Sequence, residues 1–155
     1  MLNKGINKSK IFVQPNPRPH LIKFDYKSNN KLNQIVYAGR VSKEKGILEL
    51  ISVWNKLNTK NYKLIIIGEG PLFDELKHSL KQNDSISLTG YKDNHEVLNI
   101  INESKAVVTA TKLFEGQPTL LCEASALTTL CVFPDTGGIK EYFDKNYKFS
   151  FEQYN

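Results

Sequence analysis

A chain of 155 residues with 40% hydrophobic and 24% charged residues has the length and balance of one globular domain, which buries roughly two thirds of its unfolded surface. The net charge of +5 comes mostly from lysines spread along the chain, without a run of five like charges. No basic stripe alternates with aromatic residues, so a nucleic-acid-binding protein is disfavoured. An anionic ligand or a membrane surface would suit the charge, although a solvated basic surface is the simpler explanation.

The two cysteines, Cys122 and Cys131, both lie inside apolar runs. They show no CxxC or Cys/His spacing, so we predict buried, reduced thiols, no metal site and a cytoplasmic setting. The N-terminus has no signal-peptide core and no apolar run approaches 18 residues, so no membrane-spanning segment is predicted.

Residues 1–34 are polar and irregular. The prolines between 15 and 19 exclude a helix there, and only 11–13 could form a short strand. We predict a linker or lead-in segment that precedes a folded domain at 35–155. A chain that opens in this way is expected to be part of a larger protein.

The rest of the chain alternates between short apolar runs and helical patterns. The runs predict strands at 34–38, 63–67, 86–88, 106–109 and 130–133, and a short helix and an extended piece follow at 139–143 and 147–151. Such alternation predicts an α/β fold, a Rossmann-like doubly wound parallel sheet with helices on both faces. Ligands of these folds bind outside the carboxyl ends of the strands. The loops 39–46, 68–71, 90–92, 113–119 and 135–138 are therefore predicted to share one rim.

The turn at Gly68-x-Gly70 follows the second predicted strand. A dinucleotide fingerprint needs a third glycine three residues later, where this sequence has Phe73, and Pro71 intervenes. A nicotinamide site is therefore disfavoured, and a tight turn with Pro71 opening the next helix is the alternative.

Two basic residues, Arg40 and Lys45, follow the first predicted strand. A guanidinium grips phosphate oxygens in pairs and an ammonium adds a mobile point charge, so together they suit a diphosphate. Exposed surface residues are the competing interpretation.

The stretch from Phe114 to Ala124 contains Glu115 in a predicted loop and Glu123 on a predicted helix. Pro118 fits the first helical turn, whose free amides offer a seat for an anion. The two carboxylates could form a general acid/base pair, or could grip hydroxyl groups because an ionised carboxylate accepts several hydrogen bonds. An ordinary loop glutamate and a helix-surface glutamate are the remaining possibility.

Five short motifs follow one another along the chain. They are Gly39-Arg40-Val41-x3-Lys45-Gly46, Gly68-Glu69-Gly70-Pro71, Leu88-Thr89-Gly90-Tyr91, the Glu-x7-Glu pair at 115 and 123, and Asp135-Thr136-Gly137-Gly138-Ile139-x-Glu141. In this arrangement the sequence resembles the C-terminal domain of the GT-B-fold, group 1 (family 4) retaining glycosyltransferases. The resemblance covers residues 35–143 and is closest to enzymes that build bacterial capsule, O-antigen or other surface polysaccharide.

The resemblance implies a nucleotide-sugar donor, such as a UDP- or GDP-sugar, and transfer to an acceptor hydroxyl with retention of configuration. It implies catalytic roles for Arg40 and Lys45 at the diphosphate and for Glu115 at the sugar hydroxyls. It also implies that Glu123 binds the ribose, so that the two glutamates grip one extended ligand, and that no metal or other cofactor is needed. The implied donor-binding residues are Gly39, Gly68, Tyr91, Gly116, Gln117, Pro118, Thr119, Leu120 and Glu123.

The family's second Rossmann-like domain, which carries the acceptor site, has no counterpart in this sequence. The chain is therefore expected to be the donor-binding half of the enzyme and inactive alone. A lipid-linked or saccharide acceptor and peripheral membrane association of the full-length enzyme are implied. The sequence departs from the family at Gln117, where an aromatic is common, and at Thr128 and Leu130, where the family has Gly and Pro. A non-catalytic nucleotide-binding module and an epimerase or phosphorylase on the same fold are the alternatives.

Overall fold

A computed structural model of the chain describes residues 5, 7–12, 14–16 and 30–153. Within these residues, six strands form one parallel sheet in the order β3-β2-β1-β4-β5-β6. The strands are β1 (Leu32–Ala38), β2 (Lys63–Ile67), β3 (Ile86–Gly90), β4 (Ser104–Val108), β5 (Leu130–Pro134) and β6 (Ser150–Phe151). The predicted doubly wound α/β fold is confirmed.

Four α-helices connect the strands, namely α1 (Ile47–Lys56), α2 (Phe73–Ser79), α3 (Asn94–Glu103) and α4 (Thr119–Ala126). Short 3₁₀ helices lie at Lys8–Lys10, Lys43–Lys45 and Ile139–Tyr142. Helices α1 and α2 contribute Ile51, Trp54 and Leu76 to one core, whereas α3 and α4 contribute Ile101 and Ala124 to a second. The sheet is therefore covered on both faces, as predicted.

Strand β2 shows why the sequence places a sheet between two helical layers. Its side chains alternate, with Leu64 and Ile66 in the core beneath α1 and α2, and Ile65 and Ile67 in the other core. A strand buried on both faces needs a continuous apolar run rather than an alternating pattern. The predicted bounds of β2 are confirmed.

Three local predictions are wrong in detail. Residues 11 and 12 do not form a strand, and Val13 lies outside the described residues. Pro71 precedes rather than opens a helix, because α2 begins at Phe73 after its N-cap Leu72. Pro118 is likewise the N-cap residue of α4, with extended backbone, and the helix begins at Thr119.

Strand bounds other than those of β2 differ from the sequence prediction: β3 and β5 continue to Gly90 and Pro134, and β4 covers Ser104–Val108 rather than 106–109. β1 begins at Leu32, inside the segment predicted as a linker, because Leu32 pairs with Ser104 of β4. The predicted extended piece at 147–151 adds a sixth strand, since Ser150 and Phe151 pair with the end of β5. Pairing with a neighbouring strand explains the early start of β1 and the presence of β6, and the local residue pattern does not reveal this pairing.

The two thiols differ in burial. Both are free, but Cys131 is buried in the core under α4, whereas Cys122 is only half-buried beside Gln117. The prediction of a buried thiol is thus confirmed for Cys131 and wrong for Cys122. No helix among residues 5, 7–12, 14–16 and 30–153 has the length and apolarity that a membrane span requires.

Thiol labelling should separate the two cysteines. Burial raises the pKa of Cys131 to about 11, so at pH 8 its thiol is almost entirely protonated and inaccessible. We expect Ellman's reagent to label one thiol of the folded protein quickly and the second only after unfolding. The Cys122→Ser variant should lose the fast phase. Equal rates for the two thiols would contradict the burial of Cys131.

Candidate functional site

The sheet has a topological switch point between β1 and β4. From β1 the chain moves outward through β2 to β3, and then crosses back so that β4 lies on the other side of β1. In open α/β sheets, ligands bind in the crevice that this reversal leaves outside the carboxyl ends of the strands. The loops that follow β1 and β4 carry Lys45 and Glu115, respectively.

The five loops predicted to share a rim do so. Backbone hydrogen bonds of 2.9–3.0 Å join each loop to a neighbouring loop or to the last residue of the neighbouring strand. They run from Gly39 N to Ile67 O, from Gly68 N to Gly90 O, from Lys112 N to Glu44 O and from Gly138 N to Glu115 O. The rim is therefore a connected surface in which hydrogen bonds hold each loop in position against its neighbour.

Glycine is required where two of these loops cross. Gly137 has a φ of 61°, and a Cβ placed on it would lie 1.9 Å from the carbonyl oxygen of Glu115. A side chain at this position would meet both backbone strain and a steric clash. Gly137 therefore lets the loop after β5 support the backbone that carries Glu115.

The Gly137→Ala variant should test this support. We expect the free energy of unfolding to fall by about 2–4 kcal/mol, because the new Cβ must displace a backbone carbonyl. Gly116→Ala is the matched control, since a Cβ on Gly116 meets nothing within 4 Å, and its effect should stay within about 0.5 kcal/mol. Urea denaturation measures both changes, and similar losses in the two variants would contradict the assignment.

Lys45 and Glu115 form an ion pair at the switch point. The distance from Lys45 Nζ to Glu115 Oε1 is 2.5 Å, and the hydroxyl of Thr111 donates a 3.1 Å hydrogen bond to the same oxygen. The side chains of Lys45 and Glu115 are 31% and 20% exposed. The pair is thus accessible to a ligand but partly shielded from water. Charge interactions at such a shielded position are stronger than at an open surface.

Arg40 lies on the same loop but does not join this pair. Its side chain is exposed, while its carbonyl oxygen accepts a 2.7 Å hydrogen bond from the hydroxyl of Tyr37. Burial raises the pKa of Tyr37 well above its usual value, and the nearby carboxylate of Glu115 raises it further. The neutral Tyr37 hydroxyl therefore holds the turn after β1, leaving the guanidinium of Arg40 open to solvent.

Glu123 is not a helix-surface residue. It is 8% exposed, and the side-chain amide of Asn94 donates a 2.9 Å hydrogen bond to its Oε1. Asn94 is the first residue of α3, whose N-cap is Asp93, so the contact joins the start of α3 to the second turn of α4 on one face of the sheet. The two glutamates therefore have separate partners on separate elements, which does not suit a general acid/base pair.

The start of α4 lies between the two glutamates in the chain. Pro118 provides no side-chain cap, and within the described residues the amides of Gly116, Gln117, Thr119 and Leu120 donate no hydrogen bond. Such unpaired amides at a helix N-terminus favour an anion. Asn16 of the lead-in segment contacts this loop, since its backbone and side-chain amides donate to Gln117 at 2.6 and 2.7 Å.

The other predicted donor-binding residues lie on the same rim. Gly68 faces Gly39 so closely that a Cβ on Gly68 would be 2.1 Å from the Gly39 carbonyl oxygen. Tyr91 follows β3 and is 75% exposed. The structure therefore places all the predicted residues along the carboxyl edge of the sheet, while their individual roles stay predictions.

No metal centre is evident in the described part of the chain. No three His, Cys, Asp or Glu side chains gather there in a way that could hold an ion. Arg40 and Lys45 are among the positive groups of the rim, and Lys43 and Lys92 lie on loops of the same rim.

Residues 20–155 match the family model described as glycosyl transferases group 1. The chain belongs to the group 1 glycosyltransferases. Among the relatives of this glycosyltransferase domain is TuaC of Bacillus subtilis, named as an inferred teichuronic acid biosynthesis glycosyltransferase. It is 34% identical over 111 residues, which are 72% of this chain and 27% of TuaC. AmsD of Erwinia amylovora, an amylovoran biosynthesis glycosyltransferase, is 24% identical over 153 residues, 94% of this chain and 44% of AmsD.

A solved structure supports the same fold. A mutant of TarM from S. aureus, determined in complex with UDP, fondaparinux and alpha-GlcNAc-glycerol, has a TM-score of 0.69 and 22% identity. The match covers 93% of the present glycosyltransferase domain and 29% of the TarM chain. The chain thus spans less than half the length of each of these relatives.

Sequence reasoning missed three residues that shape the site. Thr111 holds Glu115, Asn94 holds Glu123, and Tyr37 holds the turn that carries Arg40. The position of Thr111, four residues before Glu115 and just after a strand, is a usable signal. Asn94 is remote in sequence from Glu123, and the pattern around it indicates only a helix start. Tyr37 lies inside a strand, where the pattern indicates only an apolar core.

Proposed function

We propose that this group 1 domain is the donor-binding half of a retaining glycosyltransferase that transfers a sugar from a nucleotide-sugar to an acceptor hydroxyl. The observation that carries the proposal is the Lys45–Glu115 pair at the switch point of the sheet, beside the amides that open α4 and that donate no hydrogen bond among the described residues. One arrangement thus offers a positive charge, a carboxylate that can accept hydrogen bonds from sugar hydroxyls, and backbone amides that can donate hydrogen bonds. A nucleotide diphosphate joined to a sugar needs all three.

The positive groups act on the diphosphate. When the bond between the sugar's anomeric carbon and the diphosphate breaks, its electron pair goes to the leaving diphosphate. The ammonium of Lys45 and the guanidinium of Arg40 stabilise this developing charge, with the amides at the start of α4 as further donors. In many phosphate sites a metal cation such as magnesium neutralises this developing charge. Two basic side chains at the diphosphate therefore reduce the need for a metal ion.

The carboxylates orient the remainder of the donor. Glu115 presents its carboxylate to the sugar hydroxyls, and Glu123 accepts a hydrogen bond from the ribose. Asn94 and Thr111 hold the two carboxylates in place through Oε1 of each. Tyr91, with the backbone around it, lines the base pocket, while Gly39 and Gly68 allow the nucleotide to approach the main chain closely.

The acceptor belongs to a second domain. Because the chain covers only 27% and 44% of TuaC and AmsD, a further domain beside this one fits the lengths of these relatives. Without it, transfer by this domain alone should be negligible, since the reacting groups are not brought together. A lipid-linked or saccharide acceptor, surface-polysaccharide synthesis and a cytoplasmic location at the membrane follow from this proposal, and the net charge of +5 suits an anionic surface.

The stereochemistry of transfer tests the proposal. The full-length protein is incubated with α-linked UDP-, GDP- and ADP-sugars and with lipid-linked or saccharide acceptors, and the product linkage is read by NMR coupling constants. An α-linked product is expected, because retention keeps the configuration of the donor. A β-linked product would contradict retention, and nucleotide binding without transfer to any acceptor would favour a non-catalytic binding module.

A further inference from the structure

The buried hydroxyl of Thr111 lies directly behind Glu115. Thr111 is 1% exposed, and its Oγ1 donates the 3.1 Å hydrogen bond to Oε1 of Glu115. Lys45 occupies the same oxygen at 2.5 Å. Within the part of the chain that the structure describes, no hydrogen bond reaches Oε2, so one oxygen of Glu115 is held and the other is left for a ligand.

The direction of the Thr111 hydrogen bond is fixed by a second contact. The backbone amide of Leu113 donates to Thr111 Oγ1 at 3.2 Å, which occupies a lone pair of the hydroxyl. An ionised carboxylate only accepts, so the single hydroxyl proton points at Glu115. A hydrogen bond to a charged group is the stronger kind and restrains the carboxylate more than a neutral contact would.

The backbone of Thr111 is also held from a distant part of the chain. The side-chain amide of Gln153 donates a 3.0 Å hydrogen bond to the carbonyl oxygen of Thr111. Gln153 follows β6, which pairs with the end of β5 at the edge of the sheet. Thr111 is thus fixed through its main chain by one element while its side chain fixes Glu115.

We propose that Thr111 is a positioning residue that holds Glu115 by Oε1 and turns Oε2 toward the hydroxyls of the donor sugar. The inference rests on the proposed donor-binding function. Thr111 itself does not touch the donor, because it is buried beneath Glu115. Its effect on donor affinity is transmitted through the carboxylate, and this makes the claim separable from a general loss of stability.

Five variants of the present chain test this, one of them the Glu115→Ala single variant that serves as the reference for the double variant. Thr111→Val removes the hydroxyl at nearly constant volume, and Thr111→Ser restores it. Thr129→Val is the matched control, because Thr129 is 4% exposed and donates to Ile101 O at 2.9 Å at the start of β5, the opposite end of that strand from the rim. The fifth variant combines Thr111→Val with Glu115→Ala. Affinities for UDP-, GDP- and ADP-glucose and for UDP-N-acetylglucosamine are measured by ligand-detected NMR at millimolar concentrations, with circular dichroism as the folding check.

We expect Thr111→Val to weaken binding of the preferred sugar nucleotide about tenfold, as the loss of a hydrogen bond to a charged group predicts. Thr111→Ser and Thr129→Val should bind within about twofold of the wild type. In the Glu115→Ala background, Thr111→Val should not weaken sugar-nucleotide binding further, because the two residues act as one unit.

The outcomes separate the two claims. A folded wild type that binds none of the four sugar nucleotides would sink the proposed function itself. If the wild type binds, three results would each overturn the inference: no loss in Thr111→Val, an equal loss in Thr129→Val, or an added loss in the double variant. If Thr111→Val fails to fold, weakened binding by a folded Thr111→Ser would overturn the inference instead.

Discussion

Replacing Lys45 with alanine should weaken nucleoside diphosphate binding by this chain about tenfold, and should slow transfer by the full-length enzyme about 10²–10³-fold. The ammonium of Lys45 lies at the switch point of the sheet, 2.5 Å from Glu115 Oε1 and only partly exposed to solvent. In the proposed function, its removal takes away the charge that stabilises the leaving diphosphate. The loss in kcat should exceed the loss in affinity, because the charge on the diphosphate grows as the bond breaks.

Lys43→Ala is the matched control for this result. Lys43 lies two residues away in the same 3₁₀ helix and is exposed, so the variant removes the same charge from the same loop. Its effect should stay within about twofold and should vanish as salt is raised, because exposed charges are screened over about 10 Å at 0.1 M. Equal losses in Lys43→Ala and Lys45→Ala would mean that only the overall charge of the rim matters, and would contradict the role of Lys45.

Glu115→Gln should change the affinities for nucleotide and sugar nucleotide in opposite directions. A diphosphate that takes Lys45 competes with the Glu115 carboxylate, so loss of that charge should tighten nucleoside diphosphate binding by roughly two- to fivefold. The sugar nucleotide should bind about tenfold more weakly, because the amide is a poorer acceptor for the sugar hydroxyls. Calorimetric titration of the variant with both kinds of ligand measures the two changes.

Glu44→Gln separates the effect of charge from that of contact. Glu44 lies one residue before Lys45, is exposed and belongs to the same rim. Its replacement removes an equal charge but no sugar contact. We therefore expect tighter diphosphate binding in both variants and weaker sugar-nucleotide binding in Glu115→Gln alone. A Glu115→Gln variant that binds the sugar nucleotide as tightly as the wild type would contradict the placement of the sugar at Glu115.

The fold could be predicted from the sequence because its signals are local. Each strand is a short apolar run, each helix shows its own period, and the glycines mark the turns between them. A parallel sheet then brings the carboxyl ends of all strands to one edge, so the rim followed from topology without any knowledge of side-chain contacts. Lys45 and Glu115, 70 residues apart, were placed together on this basis, and the structure joins them.

The partners of these residues could not be predicted in the same way. The buried carboxylate of Glu123 accepts a hydrogen bond from Asn94, which comes from another helix and which the sequence pattern presents only as a possible N-cap. The bond from Gln153 to Thr111 depends on β6, whose pairing with β5 is set by the sheet edge rather than by its own residues. Contacts of this kind are tertiary, and no local period encodes them.

The titration of the folded chain with UDP, GDP and ADP tests the donor-site claim most directly. We predict that at least one of the three binds, at millimolar concentration or below, and that its affinity falls in Lys45→Ala but not in Lys43→Ala. If none of the three binds to a chain that circular dichroism shows to be folded, the claim that this rim is a nucleotide-sugar donor site is wrong.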